Sequence, residues 1–230
     1  MHFVFDTHSP LSSYIDMIWH MQTERAESFL STAAVNWEIV FTQIDNKMTI
    51  GVRGPETKAS LGESTADADY FGITFKLGTF MPNLPLQSML NRQDVVLPLA
   101  STRSFWLLGS KWEVPTFDNA DVFINRLLKQ EILTHDPVVT AALQGETPDL
   151  SPRALQYRFQ RATGISQKMI QQIERARQAA VLLEQGKPIL DTTYDLGYFD
   201  QAHLTNSLKR FIGETPTEIA EQVTRKSYMG

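Results

Sequence analysis

The chain has 230 residues, 42% of them hydrophobic and 20% charged, with a net charge of −5 and no cysteine. That length allows one large domain or two modest ones with a proper core, and the missing cysteines exclude disulfides, thiolate zinc sites and a cysteine nucleophile. No run approaches the roughly 18–20 apolar residues of a membrane span, and "MHFVFDTHSPLSSY" lacks the basic flank and apolar core of a secretory signal, so the expectation is a cytoplasmic protein with no membrane partner.

The charge is uneven. Residues 1–150 hold 10 Lys/Arg against 18 Asp/Glu, whereas residues 151–230 hold 11 against 8. A local basic excess makes nucleic acid a candidate partner for the C-terminal part.

From Tyr14 to about Ser110 the pattern is strand-like. In "WEIVFTQIDNKMTIGVRG", Ile39 and Phe41, then Met48, Ile50 and Val52, recur at every second position around Asp45-Asn46-Lys47, which predicts a β-hairpin. "YFGITFKLG" repeats the alternation with Phe71, Ile73, Phe75 and Leu77, and Gly and Pro punctuate the stretch. Several short strands of this kind predict a barrel or sandwich over residues 1–117.

The period then changes. "NADVFINRLLKQEILTH" places Ala120, Phe123, Ile124, Leu127 and Leu128 at helical spacing. This predicts a linker over 118–135 whose helix, 119–133, buries Phe123, Leu127 and Leu128 in a dimer; the rival is that the stripe docks on the barrel. Asp136-Pro137 marks the next boundary, with 136–230 as the last domain, and everything from about 118 to 222 reads as helical with no convincing strand.

Ser151-Pro152 caps a helix stopped by Gly164, and Ser166 caps a long one ended by Gly186, about 30 Å in length at 1.5 Å per residue. "PILDTTYDL" is a short helix closed by Gly197. Asp200 then caps "QAHLTNSLKRFI", which ends at Gly213, and Thr215-Pro216-Thr217-Glu218 is a capping box for a last helix. Short helix, glycine turn and polar-capped second helix make a helix-turn-helix over 189–212. Its second helix carries Leu204, Leu208 and Phe211 on one side and Gln201, Ala202, Thr205, Asn206 and Lys209 on the other. A solvated surface face is the plain alternative, but this one has no acidic residue between Asp200 and Glu214. Its amides, hydroxyl and cation can address base edges or phosphates.

"GKPILDTTYDLGYFDQAHLTNSLKRFIGETPTEI" resembles the signature of AraC-family transcription regulators, and "LSPRALQYRFQRATGIS" resembles that family's first recognition helix; together they cover about residues 135–222. The matching positions are Gly197-Tyr198, Asp200-Gln201, His203-Leu204, Leu208-Lys209-Arg210-Phe211, Gly213 and Thr215-Pro216. The resemblance implies two helix-turn-helix units joined by the long helix and bound to double-stranded DNA. Arg153, Gln156 and Tyr157 would face bases from the first unit and Gln201, Ala202, Thr205 and Asn206 from the second, with Lys168 and Lys209 nearer phosphates. RNA polymerase, a small-molecule effector and a second copy of the chain are its further candidate partners. Three departures stand out: Thr193 replaces the family's alanine, Ala202 replaces a polar residue, and the first unit's positioning helix is hard to find in "AALQGETPDLSPRAL".

The β-rich half resembles the cupin-like sensor barrels that precede such domains, through "GITFKLGTF". Metal-dependent catalysis in a cupin requires His-x-His and a further ligand. The histidines here, His2, His8, His20, His135 and His203, contain no such pair, so neither a metal, a cofactor nor an enzyme is expected. Trp19, Trp37, Trp106 and Trp112 are candidates for an apolar pocket or for core packing. The expectation is thus an α+β chain, a cupin-like β-barrel or sandwich followed by an all-α domain, acting as a one-component regulator. The alternative is a ligand-binding or protein-interaction module whose helix-turn-helix units no longer bind DNA.

Overall fold

The computed structural model describes residues 2–6, 13–92 and 95–221, of which 2–6 as backbone only; His8 and the end of the last helix at residue 222 lie outside the described residues. The chain is α+β, β-rich first and helical afterwards, and it forms two compact units. The first comprises Met1–Ser28, Val35–Pro55 and Glu63–Gln167; the second comprises Phe29–Ala34, Glu56–Gly62 and Lys168–Gly230.

The first unit is built on a six-stranded antiparallel sheet. Its strands are β1 (His2–Asp6), β2 (Ile15–Thr23), β4 (Glu38–Ile44), β5 (Lys47–Arg53), β7 (Ala68–Phe75) and β9 (Val95–Leu97), in the order β1-β2-β7-β4-β5-β9. Strands β3 (Glu27–Ser31) and β6 (Ser60–Ser64) pair as a ribbon, as do β8 (Thr79–Phe80) and β13 (Thr134–His135), while β10 (Leu99–Ser101), β11 (Ser104–Leu107) and β12 (Ser110–Glu113) make a small sheet. The edge strands β1 and β9 do not pair with each other, so the six-stranded sheet stays open and the expected barrel does not close. The β4–β5 hairpin turns at Asp45 and Asn46, with φ of 47° and 63°, two left-handed residues that match the twist of the paired strands.

Register puts Ile18, Ile39, Ile73 and Val52 in one row of the sheet and His20, Phe41, Phe71 and Ile50 in the next, all on one face. Helix α1 (Ala120–Lys129) covers that face with Phe123, Ile124 and Leu127, all buried. Phe123 meets Phe41, Phe105 and Trp112 at ring separations of 6.4, 6.1 and 5.6 Å. Burying side chains of this size contributes roughly 1.5–3 kcal/mol each. The stripe expected at a dimer interface is therefore core: Phe123 and Leu127 are used inside the unit, only Leu128 is half-buried, and the helix stops at Lys129 rather than at 133. On the opposite face Trp19 lies across Gly72, where a Cβ would sit 2.1 Å from the indole; only glycine fits there. Trp37 stacks on Phe75 at 4.0 Å and donates its indole N–H to the Thr79 carbonyl, and Trp112 is buried under the Arg126 guanidinium. Trp19, Trp37 and Trp112 pack the structure, Trp106 is exposed, and none of the four lines the main cleft.

The helical stretch contains one strand the periodicity did not predict. Thr134 and His135 pair with Phe80 and Thr79, a contact between segments far apart in sequence. Helix α2 (Pro137–Leu143), capped by Asp136 through Val138 N–H, is only two turns long and ends within the stretch where a positioning helix was hard to find. Asp136 also accepts from Arg158 of α3 (Pro152–Thr163) at 3.0 and 3.1 Å. Gly164 ends α3 at φ 76°, and a Cβ there would sit 3.0 Å from the Leu86 backbone.

The second unit holds α4 (Gln167–Glu184, its first residue belonging to the other unit), α5 (Ile189–Asp195), α6 (Gln201–Phe211) and α7, described over 216–221. Ile173, Ala176, Leu183, Leu204, Leu208 and Phe211 form its core. Two segments from the N-terminal half close the end of α6. Ala59 N–H donates to the Arg210 carbonyl and Ala33 N–H to the Phe211 carbonyl, both at 2.7 Å, and the Leu30 side chain sits on Gly213. The last carbonyls of a helix have no intrahelical donor, and here the far end of the chain supplies two.

Candidate DNA-reading face and ligand cleft

The turn between α5 and α6 is fixed by a small network. Gly197 takes φ 67°, Tyr198 is buried, and its hydroxyl meets Ser207 Oγ at 3.1 Å. The Arg175 guanidinium lies 4.4 Å above the Tyr198 ring. Thr193, the departure from alanine, is fully buried, and its hydroxyl donates to the Ile189 carbonyl at 2.7 Å. A polar group buried without a partner costs free energy, and this bond removes that cost. Asp200 caps α6 by accepting the His203 amide at 2.7 Å. His203 Nδ1 accepts from the Phe199 amide and its ring edge meets Tyr198, so His203 holds the turn rather than standing free.

With Leu204, Leu208 and Phe211 buried, α6 exposes Gln201, Ala202, Asn206, Lys209 and Arg210. No hydrogen bond or ion pair engages the side chains of Gln201, Asn206 or Lys209 among the described residues. Thr205 is half-buried and its hydroxyl donates to the Gln201 carbonyl at 2.8 Å, so it retains only an acceptor for a partner. Arg210 lies against the Phe211 ring. After α6, Thr215 and Glu218 form the predicted capping box in both directions, at 2.7 and 3.2 Å. The Thr215 amide, then its hydroxyl, hold the Glu218 carboxyl below its ordinary pKa. On α3, Arg153, Gln156 and Tyr157 are exposed opposite the buried Phe159, Ala162 and Thr163, and Lys168 is exposed near the start of α4. The nine residues singled out in the sequence thus divide: Arg153, Gln156 and Tyr157 belong to the first unit, the other six to the second.

A second feature has no sequence motif, because it depends on strands paired across the sheet. An open cleft of about 860 Å³ lies at the His20–Phe41–Phe71 end of that sheet face. Its floor is Phe41 and Phe71, stacked at 5.3 Å, with Phe117 edge-on to Phe71. On one wall His20 Nε2 lies 2.6 Å from Asp69, whose second oxygen accepts from Gln22 at 3.1 Å. On the other wall are Arg103 and Glu113, neither with an ion-pair partner among the described residues. Among the described residues no cluster of His, Asp and Glu has the form of a metal site, and no helix is long and apolar enough to cross a membrane.

A helix-turn-helix domain model matches residues 148–222. No curated protein matches the chain. Among solved structures, ToxT from Vibrio cholerae O395 bound to (E)-4-(8-methylnaphthalen-1-yl)but-3-enoic acid is 11% identical with a TM-score of 0.37, covering 90% of this chain and 97% of that one. A second structure of ToxT from Vibrio cholerae, in a P21 crystal form, is 10% identical at 0.37, covering 96% and 98%. The matched residues 148–222 run from just before α3 through the Gly197 turn and α6 to the capping box, so this part of the chain is similar to a helix-turn-helix domain.

Proposed function

We propose that the chain is a sequence-specific, one-component transcription regulator in which α6 reads the major groove and the β-rich half binds a small effector. One observation carries this reading: Gln201, Asn206 and Lys209 stand exposed and unpaired on a helix whose other side is locked into a core. Gln201 and Asn206 each offer a donor and an acceptor to a base edge, and a good bidentate pair discriminates by roughly 1–3 kcal/mol. Ala202 supports apolar contact, and Lys209 supplies charge alone. Arg153, Gln156 and Tyr157 give α3 a second, similar face, with Lys168 near phosphate. On DNA the regulator's partners would be RNA polymerase and, at a two-fold site, a second copy of the chain.

Gel-shift titration with DNA from upstream of its own gene, over a salt series, tests the proposal. Asn206→Ala or Gln201→Ala relaxes sequence preference, whereas Lys209→Ala weakens all sequences alike and lowers the salt slope by about one phosphate. Parent-like discrimination in all three folded variants removes α6 as the reader. The two-turn α2 favours a second reading, an interaction module that has lost DNA affinity; absence of any salt-dependent shift selects it.

A further inference from the structure

The cleft carries one free charge of each sign. Arg103 and Glu113 are cross-strand neighbours: Ser104 faces Glu113 in the β11–β12 register, and the Arg103 carbonyl accepts from Val114 N–H at 3.0 Å. Opposite charges set so close usually pair, yet these two do not come within ion-pair distance of each other. The remaining charged wall is internally satisfied, since both Asp69 oxygens are taken by His20 and Gln22. Between the walls lies a floor of three phenylalanine rings.

We propose that this cleft binds a compact zwitterion, an α-amino acid with an apolar or aromatic side chain. Its carboxylate would take the planar fork of Arg103, its ammonium would take Glu113, and its side chain would lie on Phe41, Phe71 and Phe117. A ligand of a single charge would engage only one of the two free groups. A purely apolar ligand would leave both in water and bury itself beside the His20–Asp69 pair. The proposal rests on the reading of the β-rich half as the effector domain.

Calorimetric titration of the full chain with L-phenylalanine, 3-phenylpropanoate and phenethylamine tests it, alongside the gel shift. The expected result is that phenylalanine binds at least about tenfold more tightly than either one-charge analogue. Arg103→Gln then weakens phenylalanine about tenfold and leaves phenethylamine unchanged; Glu113→Gln weakens phenylalanine equally and leaves phenylpropanoate unchanged. Equal binding of the three probes, no binding at millimolar concentration, or parent-like affinity in both variants overturns the ligand class. If the probes fail while the DNA shift persists, only the ligand assignment falls; if the shift is also absent, the regulator reading falls with it.

Discussion

Separating the helical part from the rest should loosen the end of α6. A fragment spanning residues 136–230 lacks Phe29–Ala34 and Glu56–Gly62, and with them the amides of Ala33 and Ala59 that bond the Phe211 and Arg210 carbonyls at 2.7 Å. Two backbone hydrogen bonds contribute about 1–3 kcal/mol net together. Loss of the Leu30 side chain, 40% exposed but lying against Gly213, adds roughly 1 kcal/mol. The sum, about 2–4 kcal/mol, is spent on local opening of one helix end, so it should appear in native-state hydrogen exchange. Protection of the α6 amides should fall roughly thirty- to several-hundred-fold in the fragment at a tenfold per 1.4 kcal/mol. In the full chain, Ala59→Pro removes one donor only and should lower protection about two- to twelve-fold. Exchange of α6 amides in the fragment within about threefold of the full chain would refute the argument.

Three further outcomes follow from the first unit and from α6. Gly72→Ala must displace the Trp19 indole, which also donates to Glu38 at 3.1 Å, and should lower the urea midpoint by the equivalent of about 1–3 kcal/mol; an unchanged midpoint counts against the close approach. His135 sits between the Thr79 and Thr140 hydroxyls at 3.2 and 2.9 Å, and burial, with Lys76 adding, holds its pKa below 6.5 against the raising effect of Asp136. The unfolded chain therefore binds the proton first, and the stability of this unit is full above 6.5, falls as pH drops through that value, and levels below the folded pKa. His135→Gln should flatten the urea midpoint between about pH 7 and about pH 5, and a slope identical to the parent's would refute the assignment. Finally, Asn206→Ala and Lys209→Ala should separate in the gel shift, one changing preference and the other only affinity.

The sequence carried the local features well. Asp45-Asn46 turned where the alternation reversed, Ser151, Asp200 and the Thr215–Glu218 box capped the helices they were assigned to, and Gly164, Gly197 and Gly213 stopped them. Each of these signals acts within about four residues, through backbone dihedrals or a nearby amide. What escaped notice depends on chain segments far apart. The two-residue β13 exists only because Thr79 and Phe80 are there to pair with it. The α1 stripe had the correct period, but periodicity does not say which surface an apolar face meets, and Phe123 met Phe41 and Phe105 rather than a second copy. The cleft had no motif at all, since His20 and Asp69 are brought together by the β2–β7 register.

The second unit is assembled from three separate pieces of chain, and this sets an order of events in folding. The pairings of β2, β4 and β7 are all available once residue 75 has been made. The second unit cannot close until Lys168 and beyond have emerged and found Phe29–Ala34 and Glu56–Gly62, across the whole of residues 63–167. Joining the ends of a loop of about 100 residues costs on the order of 4 kcal/mol in chain entropy, recovered only when α6 docks. Contacts this far apart in sequence form late and slowly. A refolding chain should acquire its β-sheet signal before the α6 amides become protected, and a nascent chain arrested before residue 200 should hold a sheet but no completed second unit.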